Sequence, residues 1–253
     1  IETNKRLIGV GCVNPDEPVC GETPDSVLSA LDGPAREALI GADPLYITRL
    51  RERLRKLLPT APGARASIEM ALYDLLGKVA GLPVYQLLGG YRDRIATSVT
   101  IGILDEADTV RRAKDLAAQG FRALKLKGGL DPNDDIARVL AVRDAVGHKI
   151  GLRFDANQGY DVTESLRFID ATRSAKLELV EQPTPRDALD ELANVTRKAP
   201  LPIMADESLM GLRDAFRIAR RSLADMINVK LMKCGGIGPA MEIASVARSA
   251  QLE

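Results

Sequence analysis

Short apolar runs that each end in a charged residue recur through the later part of the chain: ALKLK, GLRFD, LELVE, PIMAD and MINVK. The closing residues, Lys127, Asp155, Glu181, Asp206 and Lys230, are separated by 28, 26, 25 and 24 positions. A strand, a turn, a helix and a return loop use about that much chain, so the spacing predicts a βα repeat. Strands are predicted at 95–101, 121–127, 150–157, 177–182, 202–207 and 226–232. Helices are predicted near 105–119, 131–146, 161–173, 187–198, 211–222 and 238–250. The closing residues then stand at the carboxyl ends of successive parallel strands. In a (β/α) barrel those ends share the face on which chemistry is carried out.

Up to about residue 90 the pattern differs. A strand remnant, LIGVGCV, leads into a loop rich in Pro and acidic residues and then into helices. Asp43 and Pro44 signal a helix start before LYITRLRERLRKLL. In the next helix Ile68, Leu72, Leu75, Leu76 and Val79 mark one apolar face, with Gly81 and Pro83 as the stop. Its Glu69 and Asp74 are expected to be solvated. The chain therefore divides into residues 1–90 and 91–253, the second part holding six βα units. A closed barrel of this kind needs about eight strands, so the chain reads as an incomplete barrel.

Composition narrows the function classes. Lys+Arg and Asp+Glu are both 35, so no net field favours nucleic acid or an anionic membrane. No apolar stretch approaches the roughly 20 residues that span a bilayer, and IETNKRLIGV lacks a signal-peptide pattern. A cytoplasmic protein is expected. Cys12, Cys20 and Cys234 are too few and scattered for a disulfide framework or a zinc site and are expected to be buried thiols. The one histidine, His148, precedes a strand and falls at the opposite end of the barrel from the closing residues. Histidine-based triads and histidine-rich metal sites are disfavoured.

The closing residues suggest a particular chemistry. Lys125 and Lys127, at i and i+2 of one strand, point to the same side, while Leu124 and Leu126 face the helices. At about 6 Å and an effective dielectric of about 20, two ammonium groups repel by roughly 3 kcal/mol, enough to lower one pKa by about 2 from ~10.4. A lysine so tuned serves as a general base. The competing expectation is that each lysine is neutralised by a carboxylate across the barrel. Asp155, Glu181 and Asp206 supply oxygen ligands without His or Cys, a set suited to magnesium and next to manganese. Asn157 lies two residues past Asp155 and is a candidate to orient a ligand or water. Glu207 is expected to point away from Asp206 unless the strand has ended. Lys230, four strands on from Lys127, would approach from the other side, and two bases on opposite faces of one carbon meet the requirement of a 1,1-proton transfer through a metal-stabilised enediolate. Lys233 is expected at the rim. The turn CGGIGPA lacks the third glycine of a dinucleotide fingerprint and reads as a tight turn whose amides can approach a substrate carboxylate.

KLK, DAN, VEQP, ADES and INVKLMKCGG, preceded by RASIEMALYDLLGKVAGLPVYQLLGG, together resemble the enolase superfamily and, within it, the muconate-lactonizing subgroup. The resemblance covers nearly the whole chain. It implies an N-terminal α+β capping domain over 1–90 and a modified (β/α)7β TIM barrel over 91–253, lacking its C-terminal end. It implies Lys127 and Lys230 as the acid/base pair, Lys125 as the lysine that tunes its neighbour, and Asp155, Glu181 and Asp206 as ligands of magnesium. Among subgroup members the wording ADMINVKLMKCGGI is most similar to the dipeptide epimerases, with L-Ala-D/L-Glu as the type substrate. Muconate cycloisomerases, o-succinylbenzoate synthases and N-acylamino-acid racemases use the same groups. A barrel that binds a metal or ligand without turnover is the alternative outside enzymes. The resemblance also implies a homo-oligomer and a small carboxylate substrate.

Overall fold

The computed structural model describes residues 1–253. The chain forms two compact units. One comprises Ile1–Ile95 with Met210–Arg213 and Val229–Val246, and the other comprises Ala96–Leu209, Asp214–Asn228 and Ala247–Glu253.

The second unit contains six parallel strands: β1 (Val99–Ile101), β2 (Ala123–Lys127), β3 (Gly151–Asp155), β4 (Val180–Glu181), β5 (Ile203–Ala205) and β6 (Met226–Ile227). They pair in chain order, β1-β2-β3-β4-β5-β6, the wall of a (β/α) barrel. Helices Glu106–Ala118, Pro132–Val146, Val162–Ala171 and Leu189–Lys198 fall between successive strands, each within a few residues of its predicted bounds. Three of these helices start with one chemistry. Asp105, Asp131 and Asp161 each accept a backbone N–H of the first helical turn, and Asp161 forms a reciprocal capping box with Glu164. Alternation along β2 and β3 sends Leu124, Leu126, Leu152 and Phe154 into the core. Phe154 packs on Phe168 of the following helix with ring centroids 4.2 Å apart. The strands are shorter than predicted, because their outer residues lie in loops that leave the ladder.

The first unit is helical. Helix Pro62–Ala80 starts with proline at its first position, where the missing N–H costs nothing. The buried Glu22 carboxylate then accepts the N–H groups of Gly63 and Ala64 at 2.6 and 3.0 Å. Ile68, Leu72 and Leu75 are buried as predicted, but Val79 is 54% exposed at the last turn. Helix Ile47–Leu57 begins later than Asp43 and Pro44 suggest, since Asp43 caps a local turn by accepting the N–H of Leu45. The predicted strand remnant is reduced to one antiparallel bridge, Glu2 to Ile8. From Ile8 onward the chain hydrogen-bonds to a helix instead: the Val10 N–H donates to Asp74, and the Lys78 ammonium donates to the Ile8 carbonyl. The cysteines are not buried thiols: Cys12 is exposed and the other two are half-buried. No helix is long and apolar enough to cross a membrane.

Candidate active site

β2 delivers its two lysines to one side because the intervening leucines are claimed by the core. The register then aligns Lys127 with Asp155 and Asp155 with Glu181, so three successive strands bring their closing residues side by side. Lys125 Nζ lies 2.8 Å from Asp155 Oδ2 and 2.7 Å from Glu181 Oε2. The second oxygen of each carboxylate is also satisfied: Asp155 Oδ1 accepts the Asn157 N–H at 3.0 Å, and Glu181 Oε1 accepts from Asn228 Nδ2 at 2.9 Å. Asn157 reaches that position with a left-handed φ of 45°, a conformation asparagine tolerates better than most residues.

The expectation of a lowered pKa fails at Lys125. Burial pushes its ammonium down, but Asp155 and Glu181 together outweigh burial and hold the pKa above its ordinary value. Glu181 is pushed up by burial first and by the Asp155 charge second, against the pull of Lys125 and Asn228. The neutralised-lysine reading is thus correct for Lys125. It does not extend to Lys127, whose half-buried side chain makes no hydrogen bond or ion pair.

Asp206 lies one residue past β5 and is fully buried. The strand ends at Ala205, so the alternation that would turn Glu207 away from Asp206 no longer applies, and Glu207 is buried too, 4% exposed. This segment is held by a side chain that the sequence reading passed over. Gln182, buried and at φ 34°, accepts the N–H groups of Asp206 and Ser208 at 2.9 and 3.1 Å and donates to Thr184 O and Ser208 Oγ. Its position, directly after Glu181 and before a proline, was the available signal. Asn228 was also missed, although it lies two residues before Lys230 on the same alternation.

Lys230 follows β6 by three residues and caps the short helix Leu231–Cys234 in an extended conformation, among residues of the first unit. Lys233 is 3% exposed, not at a rim. The glycine turn also departs from expectation. The Gly238 N–H donates to Glu69, and a Cβ on Gly236 would lie 1.8 Å from Glu69 Oε2, so the turn encloses a protein carboxylate. Glu69, expected to be solvated, is 3% exposed. A cavity of about 1010 Å³ lined by Ile1–Lys5, Leu39–Leu45 and Leu72 holds none of these groups.

Asp155, Glu181 and Asp206 are buried and offer only oxygen donors. That donor set fits a hard divalent cation. As the side chains stand, no three acidic, histidine or cysteine residues converge on one point, and two of the carboxylates close on Lys125 instead.

Residues 1–89 match the family description "Mandelate racemase / muconate lactonizing enzyme, N-terminal domain", and residues 108–253 match "Enolase C-terminal domain-like". The chain belongs to the mandelate racemase/muconate lactonizing enzyme family of the enolase superfamily. Within that family it is 40% identical to the hydrophobic dipeptide epimerase of Enterococcus faecalis, covering 100% of this chain and 71% of that protein. It is 39% identical to the L-Ala-D/L-Glu epimerase of Bacillus subtilis, covering 100% of this chain and 70% of that protein. The crystal structure of the Enterococcus faecalis dipeptide epimerase complexed with Mg and L-Leu-L-Tyr superposes with a TM-score of 0.97 at 40% identity, over 100% of this chain and 71% of that one. These similar family members are isomerases, and their fold is the modified barrel with an N-terminal capping domain that the sequence implied.

Proposed function

We propose that this chain carries the proton-transfer centre of a magnesium-dependent epimerase that inverts the α-carbon of a dipeptide, with N-acyl amino acids as the neighbouring substrate class. The observation that carries the reading is the pairing of Asp155 and Glu181 on Lys125 beside an unpartnered Lys127. The names of the similar epimerases support the substrate class.

Asp155, Glu181 and Asp206 would hold magnesium, with manganese as the next candidate. When bound, the ion supplies the positive charge that acidifies the substrate α-proton. Lys127 Nζ takes that proton from one face of the carbon. Lys230 returns a proton to the opposite face. Lys125, ion-paired with both Asp155 and Glu181, acts as a fixed cation beside Lys127 and not as a second base. Gln182 and the Asn157 N–H hold Asp206 and Asp155 in place, and Asn228 does the same for Glu181. Glu207 supports Asp206 as its chain neighbour. The active protein is a homo-oligomer, a statement that a light-scattering mass equal to one chain would overturn.

Incubation with L,L-dipeptides and N-acyl amino acids in heavy water, with magnesium, tests the reading. Deuterium at the α-carbon with inversion is expected. Its absence across both substrate classes refutes an epimerase, and ring closure of a muconate without α-exchange would favour a cycloisomerase.

A further inference from the structure

The carboxyl end of β2 is braced from behind by a buried charged cluster that the proposed proton transfer does not use. Asp135, Arg138 and Tyr160 are 2%, 4% and 2% exposed. Arg138 Nη2 donates to the backbone carbonyl of Lys127 at 2.9 Å and to Asp135 Oδ1. Asp135 Oδ2 accepts from the Gly129 N–H at 2.7 Å and from the Tyr160 hydroxyl. The Gly128 N–H continues the strand ladder to the Asp155 carbonyl at 2.8 Å. The loops after β2 and β3 touch closely: a Cβ on Gly129, at φ 100°, would lie 1.9 Å from the Ala156 carbonyl oxygen. One carboxylate on helix Pro132–Val146 therefore ties together the loop that starts at Lys127 and the loop that starts at Asp155.

A buried ion cluster is a poor route to stability, because apolar side chains of similar volume usually serve as well or better. What this one supplies is fixed geometry. Burial, then the Asp135 hydrogen bond and charge, push the Tyr160 hydroxyl well up, so it remains a neutral donor. A misplacement of about 1 Å at a reacting group can cost about 10²-fold in rate, and the cluster acts on the backbone that carries Lys127.

We propose that Asp135 and Arg138 are positioning residues that clamp the Lys127 backbone against the Asp155 strand, and so set the reach of Lys127 independently of Lys230. The proposal rests on the reading of Lys127 as one of two bases.

Arg138→Met, Arg138→Lys and Tyr160→Phe in the intact protein test it by two readouts. The first is amide hydrogen exchange without substrate. Arg138→Met should speed exchange at Gly128 and Gly129 by about tenfold or more while leaving the Val162–Ala171 helix unchanged. Tyr160→Phe, the mildest change, should give a smaller effect at Gly129. The second readout is α-proton exchange measured separately from each substrate epimer. Arg138→Met should slow the exchange served by Lys127 by about 10²-fold and leave that served by Lys230 within about threefold, and Arg138→Lys should recover part of the loss. Equal slowing of both exchanges would mark a merely structural role and overturn the proposal. Unchanged amide protection would overturn it as well. If the unmodified protein exchanges no α-proton, the base assignment falls separately, and amide protection alone decides whether the clamp exists.

Discussion

Replacing Lys125 with methionine keeps the length of the side chain and removes the ammonium that Asp155 and Glu181 share. At 2.8 and 2.7 Å and an effective dielectric of about 20, each attraction is roughly 6 kcal/mol before desolvation is counted. Burying three ions offsets most of that sum. What remains on losing the cation is the cost of two buried carboxylates, 1% and 3% exposed, facing each other unpaired, about 3–5 kcal/mol. Urea denaturation in the presence of a chelator should show this loss as a lower midpoint with an unchanged slope. Adding Glu181→Gln to Lys125→Met should restore about half or more of it, because one of the two stranded charges is gone, and the double-mutant cycle should give a coupling of about 1–3 kcal/mol. A loss below about 1 kcal/mol, or a double variant no more stable than Lys125→Met, would show that the ammonium does not neutralise this pair.

Glu69 supplies a pH test away from the site. Burial, opposed by the Gly238 N–H and Arg51, raises its pKa, so the folded state binds the proton more tightly than the unfolded chain, whose value is about 4.3. Its contribution is favourable below about pH 4.3 and is lost as pH rises through the raised value, so Glu69→Gln should gain stability relative to the parent across that window; a Tm difference that does not change with pH would contradict this. Gly129→Ala forces a Cβ onto the Ala156 carbonyl at φ 100° and should cost at least about 2 kcal/mol in urea denaturation. Glu181→Gln should weaken magnesium binding by about tenfold or more in calorimetric titration, and activity surviving full chelation would refute the ligand assignment.

The strand-closing residues were legible because spacing and alternation are local properties. Lys127, Asp155 and Glu181 stand in register as the spacing predicted, and the helices after Asp105, Asp131 and Asp161 start within a residue of their predicted bounds. Pairwise outcomes were less legible. Two lysines at i and i+2 suggest repulsion, yet the register hands two carboxylates to Lys125 and reverses the sign of its shift. Glu69 looked solvated because its partner, Gly238, is 169 residues away. Gln182 was hidden for a different reason: a neutral amide that satisfies four groups at once leaves no trace in charge or periodicity.

The central claim is that two lysines serve opposite faces of one carbon, and separate α-proton exchange from each substrate epimer in heavy water tests it most directly. Lys127→Ala and Lys230→Ala should each lose epimerisation by about 10²–10⁴-fold or more while still binding magnesium. Each should continue to exchange the α-proton of only the epimer addressed by the surviving lysine. Two-way epimerisation that persists in Lys230→Ala but is destroyed in Lys127→Ala would mean a single base, and would contradict the account.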